Sequence, residues 1–339
     1  MMIVVIAATR LSSENRTMNA RTINKIELVS RIVQFGLLLA LGLLALTALF
    51  TTAATVETED RSNPNAVATE TTSLKPPDKG QIPVAFLISD GAVIIDFCGP
   101  WEVFRDVVVP GREDHPFRLY TVSDKIAPIH AGGEMKIVPD YTFANAPTPK
   151  VIVIPAQSEP SKAMLDWIRQ ATKTTDVTMS VCTGAFVLAK TGLLSGKSAT
   201  TYHGAFGRFA MQFPDVELKR GARFVENGNL ATAGGLSSGI DLALHVVERY
   251  YGREVAETTA YNLEYQGQGW KDANSNNVYA VTPVSTAEHP LCAVCGMDVD
   301  PKIAPKSVFK GATYYFCSEE DKKTFEAAPD KFVTAANGL

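Results

Sequence analysis

The stretch Thr178-Met-Ser-Val-Cys-Thr-Gly-Ala-Phe-Val-Leu-Ala-Lys190 decides the fold. Up to Val181 it reads as a buried strand, and from Thr183 as a helix, with no loop between them. A residue at so abrupt a turn is forced into a strained backbone conformation and needs small neighbours two positions before and after it. Ser180 and Gly184 supply them, leaving Cys182 at the apex. This is the layout of a nucleophile elbow with sulfur in place of a hydroxyl. The N–H groups at the helix start, beside the sulfur, predict a stabilised thiolate. Taken alone, the turn fits a buried structural cysteine equally well.

Working outward, short apolar runs alternate with amphipathic ones. Strand-like runs are 82–88, 117–122, 151–155, 177–181 and 199–202; helix-like runs are 100–109, 161–172, 183–191, 205–213 and 238–251. Strands apolar along their whole length, interleaved with helices, predict a parallel sheet covered on both faces, a doubly wound α/β fold. Ligands in such folds meet the carboxyl ends of the strands. Near the first of these ends lies Gly91-Ala-Val-Ile-Ile-Asp-Phe-Cys-Gly-Pro-Trp-Glu-Val-Phe104. Asp96, flanked by Ile95 and Phe97, sits ahead of a helix that Gly99-Pro100 is expected to open. Its ordinary reading is a turn or capping carboxylate.

Before the α/β region the run Ile32 to Phe50 holds nineteen residues without a charge. As a helix it would reach roughly 28 Å, about a bilayer core. Arg21, Lys25 and Arg31 precede it and Glu57, Glu59 and Asp60 follow, which predicts a cytoplasmic segment 1–31, a membrane or signal helix 32–50, and export of the rest. Small residues at 52–54 would also suit signal cleavage, and Met18 is an alternative start to Met1. Residues 51–80, rich in Thr, Pro, Asn and acids, read as a flexible linker. The α/β domain is expected at 81–266, a second polar linker at 267–288, and a small domain at 289–335. With 20% charged residues and a net charge of -4 over 339 residues, the chain lacks a basic face, and no helix-turn-helix or zinc-finger pattern occurs. No nucleic-acid partner is expected.

Five cysteines, with Cys98 and Cys182 isolated and Cys292, Cys295 and Cys317 clustered, do not form the framework of a small secreted domain. Cys292-Ala-Val-Cys295-Gly296 has the spacing of a metal knuckle, Cys317 supplies a third thiolate, and so short a segment would gain from a metal staple. A disulfide between two of the three is the alternative.

The motifs GAVIIDFCGPWEVF, VCTGAFVLAKTGLLSGKSATT and GGLSSGIDLALHVVE resemble the ThiJ/PfpI superfamily over residues 81 to 265, in its branch of isonitrile hydratases and amidase-like domains of AraC-type regulators. The resemblance implies a flavodoxin-like, class I glutamine amidotransferase-like fold, a homodimer, no cofactor in this domain, and a reactive Cys182 paired with Asp96, with the Thr183 N–H pointing into the site. Many relatives carry ATTHW where this chain has Ala199-Thr-Thr-Tyr202-His203, so Tyr202 takes the usual histidine position and His203 lies one residue on. Where relatives have Pro-Gly-Gly, this chain has Pro155-Ala156-Gln157. Backbone N–H groups near Ala156, Gln157, Thr183 and Gly184 are expected to form an oxyanion or substrate site. The C-terminal segment, through CGMDV and YYFCSEE, resembles a YHS domain, a module linked with metal handling. Asp321 stands where relatives often have a further cysteine, which gives Cys292, Cys295, Cys317 and Asp321 as ligands for zinc or copper.

Two functional readings follow. One is an exported cysteine-dependent enzyme acting on a small electrophile, a hydratase, lyase or amidase, with a metal-binding tail. The other is a non-catalytic ligand, redox or heavy-metal sensor or binding protein.

Overall fold

The computed structural model describes residues 73–281 and 284–336. The candidate membrane helix 32–50 and most of the linker 51–80 lie outside the described residues, among which no helix is long and apolar enough to cross a membrane. The α/β domain opens with β1 (Ile82–Leu87), α1 (Ile94–Arg105) and β2 (Phe117–Ser123). Short strands β3 (Ile129–His130), β4 (Lys136–Ile137) and β5 (Tyr141–Thr142) follow, then β6 (Val151–Ile154), α2 (Lys162–Ala171), β7 (Val177–Ser180) and α3 (Gly184–Lys190). After β8 (Ser198–Ala199), α4 (Phe206–Gln212) and β9 (Glu217–Leu218) come β10 (Phe224–Asn227), β11 (Leu230–Ala233), α5 (Ser238–Tyr251) and α6 (Arg253–Asn262).

Seven strands form one sheet in the order β10-β11-β7-β6-β1-β2-β5, parallel except for the β10–β11 pairing. The side chains of each strand alternate between two cores. Val84, Phe86, Val153 and Met179 pack under α1, α5 and α6, whereas Ala85, Leu87, Ile152 and Ile154 pack under α2, α3 and α4. This explains why the strands read as continuously apolar. The chain reverses its direction of travel across the sheet between β1 and β6, which opens a crevice at their carboxyl ends.

Three sequence expectations are corrected. Helix α1 begins at Ile94 rather than at Pro100, so Asp96 lies in its first turn and Pro100 lies inside the helix. The helix accommodates proline because its other side chains bury well: Phe97, Val103 and Phe104 are all in the core. The run 199–202 contributes only the two-residue β8, paired with β9 outside the main sheet. The stretch from 267 is not a free linker. Trp270 is buried, and its backbone N–H bonds the buried Asp241 carboxylate at 2.9 Å. Arg223 clamps the same carboxylate at 2.6 Å and holds Asn276 at 3.0 Å. Residues 267–281 are thus a strap belonging to the α/β domain, fixed by a buried ion pair that polar composition does not reveal.

The C-terminal domain consists of a hairpin, β12 (Lys306–Phe309) and β13 (Ala312–Tyr315), followed by α7 (Glu319–Ala327) and α8 (Pro329–Ala336). Its core is small: Cys292, Val294, Cys295, Phe316, Phe325 and Phe332.

Candidate active site

Three chain segments converge at the crevice: Asp96 from the crossover after β1, Ala156 just beyond β6, and Cys182 just beyond β7. Cys182 has φ 57°, the left-handed region that a non-glycine residue enters only when its surroundings hold it there. The hold is visible. Its N–H donates to the Gly234 carbonyl at 2.9 Å, and its carbonyl accepts from Thr201 Oγ1 at 2.8 Å. Gly184 is required because α3 passes directly against the end of β6. A Cβ there would run into the Ile154 carbonyl oxygen and lie 2.9 Å from the Pro155 carbonyl carbon.

Asp96 is fully buried, with Oδ2 accepting the Ala156 N–H at 3.0 Å. Its carboxyl lies near enough to the Cys182 thiol for each to shift the other's ionisation, while Oδ1 makes no hydrogen bond of ordinary geometry. Such contacts are often long in a ligand-free protein and tighten around a reacting group. Burial raises the Asp96 pKa to about 6, against the smaller opposing pull of the Ala156 N–H. Burial first, and then the Asp96 charge, push the Cys182 thiol up to about 12, outweighing backbone N–H donation from Thr183 and Leu236. At neutral pH the pair is therefore a carboxylate beside a thiol that keeps its proton. The expected stabilised thiolate is corrected: desolvation of the sulfur outweighs the N–H groups at the helix start.

The other expected site residues divide. The Thr183 N–H does face the sulfur. The Ala156 N–H is engaged by Asp96 and is not free to receive an oxyanion. The Gln157 side-chain amide is occupied as well, accepting from Ser89 Oγ at 2.7 Å and donating to the Leu87 carbonyl at 3.2 Å. Gly184 gives its N–H to the Val181 carbonyl at 2.9 Å, so its part is close packing. His203 is exposed and stacks on Tyr279, with ring centroids 4.6 Å apart. Tyr202 is half-buried, packed over Gly204 and Gly235. Neither side chain is among the groups that set the thiol's ionisation. Both lie past β8, which ends at Ala199, where the chain has already left strand geometry.

Leu236, whose N–H points at the sulfur, was not anticipated. It follows β11, a strand hidden in the polar-interrupted run Leu230–Ala233, and its φ of 43° breaks the rule that only glycine or asparagine readily turns this way. The pair Gly234-Gly235 just before it was the available signal. A separate cavity of about 680 Å³, lined by Val93, Ile94, Cys98, Ile240, Leu263 and Tyr265 among others, lies against α1 and α5 and does not include Cys182.

In the C-terminal domain, one donor atom from each of Cys292, Cys295, Cys317 and Asp321 lies within 4.8 Å of every other. Cys295 Sγ is 3.5 Å from Cys317 Sγ, and Asp321 Oδ2 is 3.3 Å from Cys292 Sγ and 3.1 Å from Cys317 Sγ. Hydrogen bonding from Cys295, and then from backbone N–H groups, holds the Cys292 thiol well below its ordinary range despite its burial. Three sulfurs and one carboxylate at such spacing fit a tetrahedral site for a thiophilic divalent ion. His289 lies outside the group, exposed and 3.4 Å from Asp298.

The DJ-1/PfpI family model matches residues 83–249 and the YHS domain model residues 293–336. The chain is 30% identical over 187 residues to the isonitrile hydratase of Pseudomonas putida, an alignment that covers 54% of this chain and 78% of that protein. It is 22% identical over 196 residues to the HTH-type transcriptional regulator GbdR of Pseudomonas aeruginosa, covering 56% of this chain and 53% of the regulator. The chain thus spans about half the length of that regulator. A crystal structure of a ThiJ/PfpI family protein from Pseudomonas syringae superposes with a TM-score of 0.50 at 24% identity, covering 57% of this chain and 79% of that one, a likeness of fold. The flavodoxin-like sheet, the elbow cysteine and these matches agree: the chain belongs to the DJ-1/PfpI family and carries a YHS domain behind its α/β domain.

Proposed function

We propose that the α/β domain is a cysteine-dependent hydratase acting on isonitriles or electrophiles of similar size. The observation that carries this reading is the Asp96–Cys182 pair, a buried carboxyl beside a buried thiol at a strained turn. An isonitrile R–N≡C becomes electrophilic when its terminal carbon is protonated. The thiol proton passes to that carbon by way of Asp96 while the sulfur bonds to it, giving the thioimidate R–N=CH–S–Cys182. Water then adds across the C=N bond, the C–S bond breaks, and the sulfur takes a proton as R–NH–CHO departs. The Thr183 and Leu236 N–H groups steady charge on the sulfur while the C–S bond forms and breaks. Similarity to an isonitrile hydratase supports the choice of substrate.

Incubating the purified protein with an alkyl isonitrile and following the N-alkylformamide tests this reading. Formamide above the protein-free rate is expected, and its absence overturns the proposal. A redox-sensing role is less well supported, because peroxide sensing draws on a thiolate and this sulfur rests as a thiol.

The same reading assigns the YHS cluster a resident zinc or copper ion held by Cys292, Cys295, Cys317 and Asp321. It places the folded domains outside the cytoplasm, tethered through residues 32–50 or released by cleavage. It also pairs two chains as a homodimer. Sedimentation at micromolar concentration is expected to give twice the chain mass, and a monomer there removes the last element.

A further inference from the structure

Gly207 is the second residue of α4, a helical position where alanine is intrinsically favoured by about 1 kcal/mol. Its packing explains the glycine. A Cβ at Gly207 would lie 2.5 Å from the carbonyl oxygen of Cys295 and 3.2 Å from its carbonyl carbon. The knuckle of the YHS domain therefore rests backbone against backbone on α4, with no slack. The residues entering α4 lead back to the active site. The Tyr202 ring fills the space over Gly204 and Gly235, where added Cβ atoms would fall 2.7 and 2.6 Å from it. Gly235 is followed by Leu236, held at φ 43°, whose N–H is directed at the Cys182 sulfur. The strap adds a second tie, with Tyr279 stacked on His203.

Metal binding acts on the near end of this chain of contacts. Zn–S bonds of about 2.3 Å set tetrahedral S···S edges near ~3.8 Å. Cys295 Sγ and Cys317 Sγ lie 3.5 Å apart, so an ion that sets this edge bears on the Cys295 backbone and its contact with Gly207. Helix α4 then carries the effect to Tyr202 and the loop over Cys182.

We propose that a thiophilic divalent cation bound by Cys292, Cys295, Cys317 and Asp321 restricts access to Cys182 through the Cys295–Gly207 backbone contact. The inference rests on reading the cluster as a metal site, and its test separates the two. Full-length protein carrying Cys98→Ser is stripped with a chelator, and zinc uptake is measured by itself from the bound stoichiometry. The initial rate of iodoacetamide labelling at Cys182, read by peptide mass spectrometry, is then compared with and without one equivalent of zinc. Labelling is expected to slow at least threefold with zinc. In Gly207→Ala, zinc uptake should persist while the labelling rate no longer responds to it, since the added methyl group holds the domains apart.

Linkage supplies a check that needs no folded variant. Protein alkylated at Cys182 while zinc protects the cluster, and then stripped, should bind zinc with an affinity changed by at least threefold. Zinc uptake with an unaltered or faster labelling rate, or with an unaltered affinity after alkylation, overturns the coupling and leaves the metal site standing. Failure to take up zinc overturns both.

Discussion

Cys182→Ala is expected to lower isonitrile hydration at least ten-thousandfold, the scale on which removal of a covalent nucleophile acts. The loss should exceed that of any other single substitution in the domain, because no second thiol reaches the crevice. Cys98 faces the cavity along α1 instead. Cys182→Ser separates chemistry from packing. It keeps the volume and a proton for Asp96, yet a hydroxyl is a far weaker nucleophile than sulfur when its only base is a carboxylate of pKa about 6. Activity should stay lost in the serine variant while the thermal midpoint changes little in either. An alanine variant that retains turnover would show that the chemistry lies elsewhere.

Asp96→Asn is expected to reduce turnover by about 10²- to 10⁴-fold while making the fold more stable at neutral pH. The two effects share one cause. Burial raises the Asp96 pKa from 3.8 to about 6. Above pH 6 the folded protein carries a buried charge that the unfolded chain hydrates freely, a destabilisation of about 3 kcal/mol at ~1.4 kcal/mol per pH unit. Below about pH 4 both states hold the proton and the penalty vanishes. The asparagine variant should therefore outlast the wild type in urea at pH 8 by up to about 3 kcal/mol, with the difference closing between pH 6 and pH 4. In the wild type, kcat/KM should fall with unit slope as pH drops through about 6, because protonated Asp96 no longer accepts the thiol proton. A flat acid limb, or an asparagine variant less stable at pH 8 than at pH 4 relative to wild type, would remove Asp96 from the proton path. The same arrangement illustrates a general tension, in which a site poised for proton transfer is held together at the expense of stability.

The elbow itself was legible because it is local. A strand that becomes a helix without a loop constrains one residue whatever else the chain does, and Ser180, Cys182 and Gly184 state that constraint in five positions. The doubly wound sheet was legible for a related reason, since strands buried on both faces must be apolar throughout. The cluster of Cys292, Cys295 and Cys317 followed from spacing, and Asp321 from the resemblance to a YHS domain.

What the sequence determined by itself was therefore the class of fold, the turn that holds the sulfur and the clustering of three cysteines in the small domain, set by short-range periodicity and residue type, while Asp96 and Asp321 were singled out by family resemblance. Tertiary structure alone decided which groups the sulfur meets and in what charge state. The Ala156 N–H was taken by Asp96, Leu236 arrived from a loop fifty-four positions away, and His203 stacked on Tyr279. It also made the polar strap a part of the core and set Cys295 against Gly207. The physical reason is that desolvation and hydrogen-bond competition depend on every group packed around an atom, and those groups come from segments whose sequences carry no mark of one another.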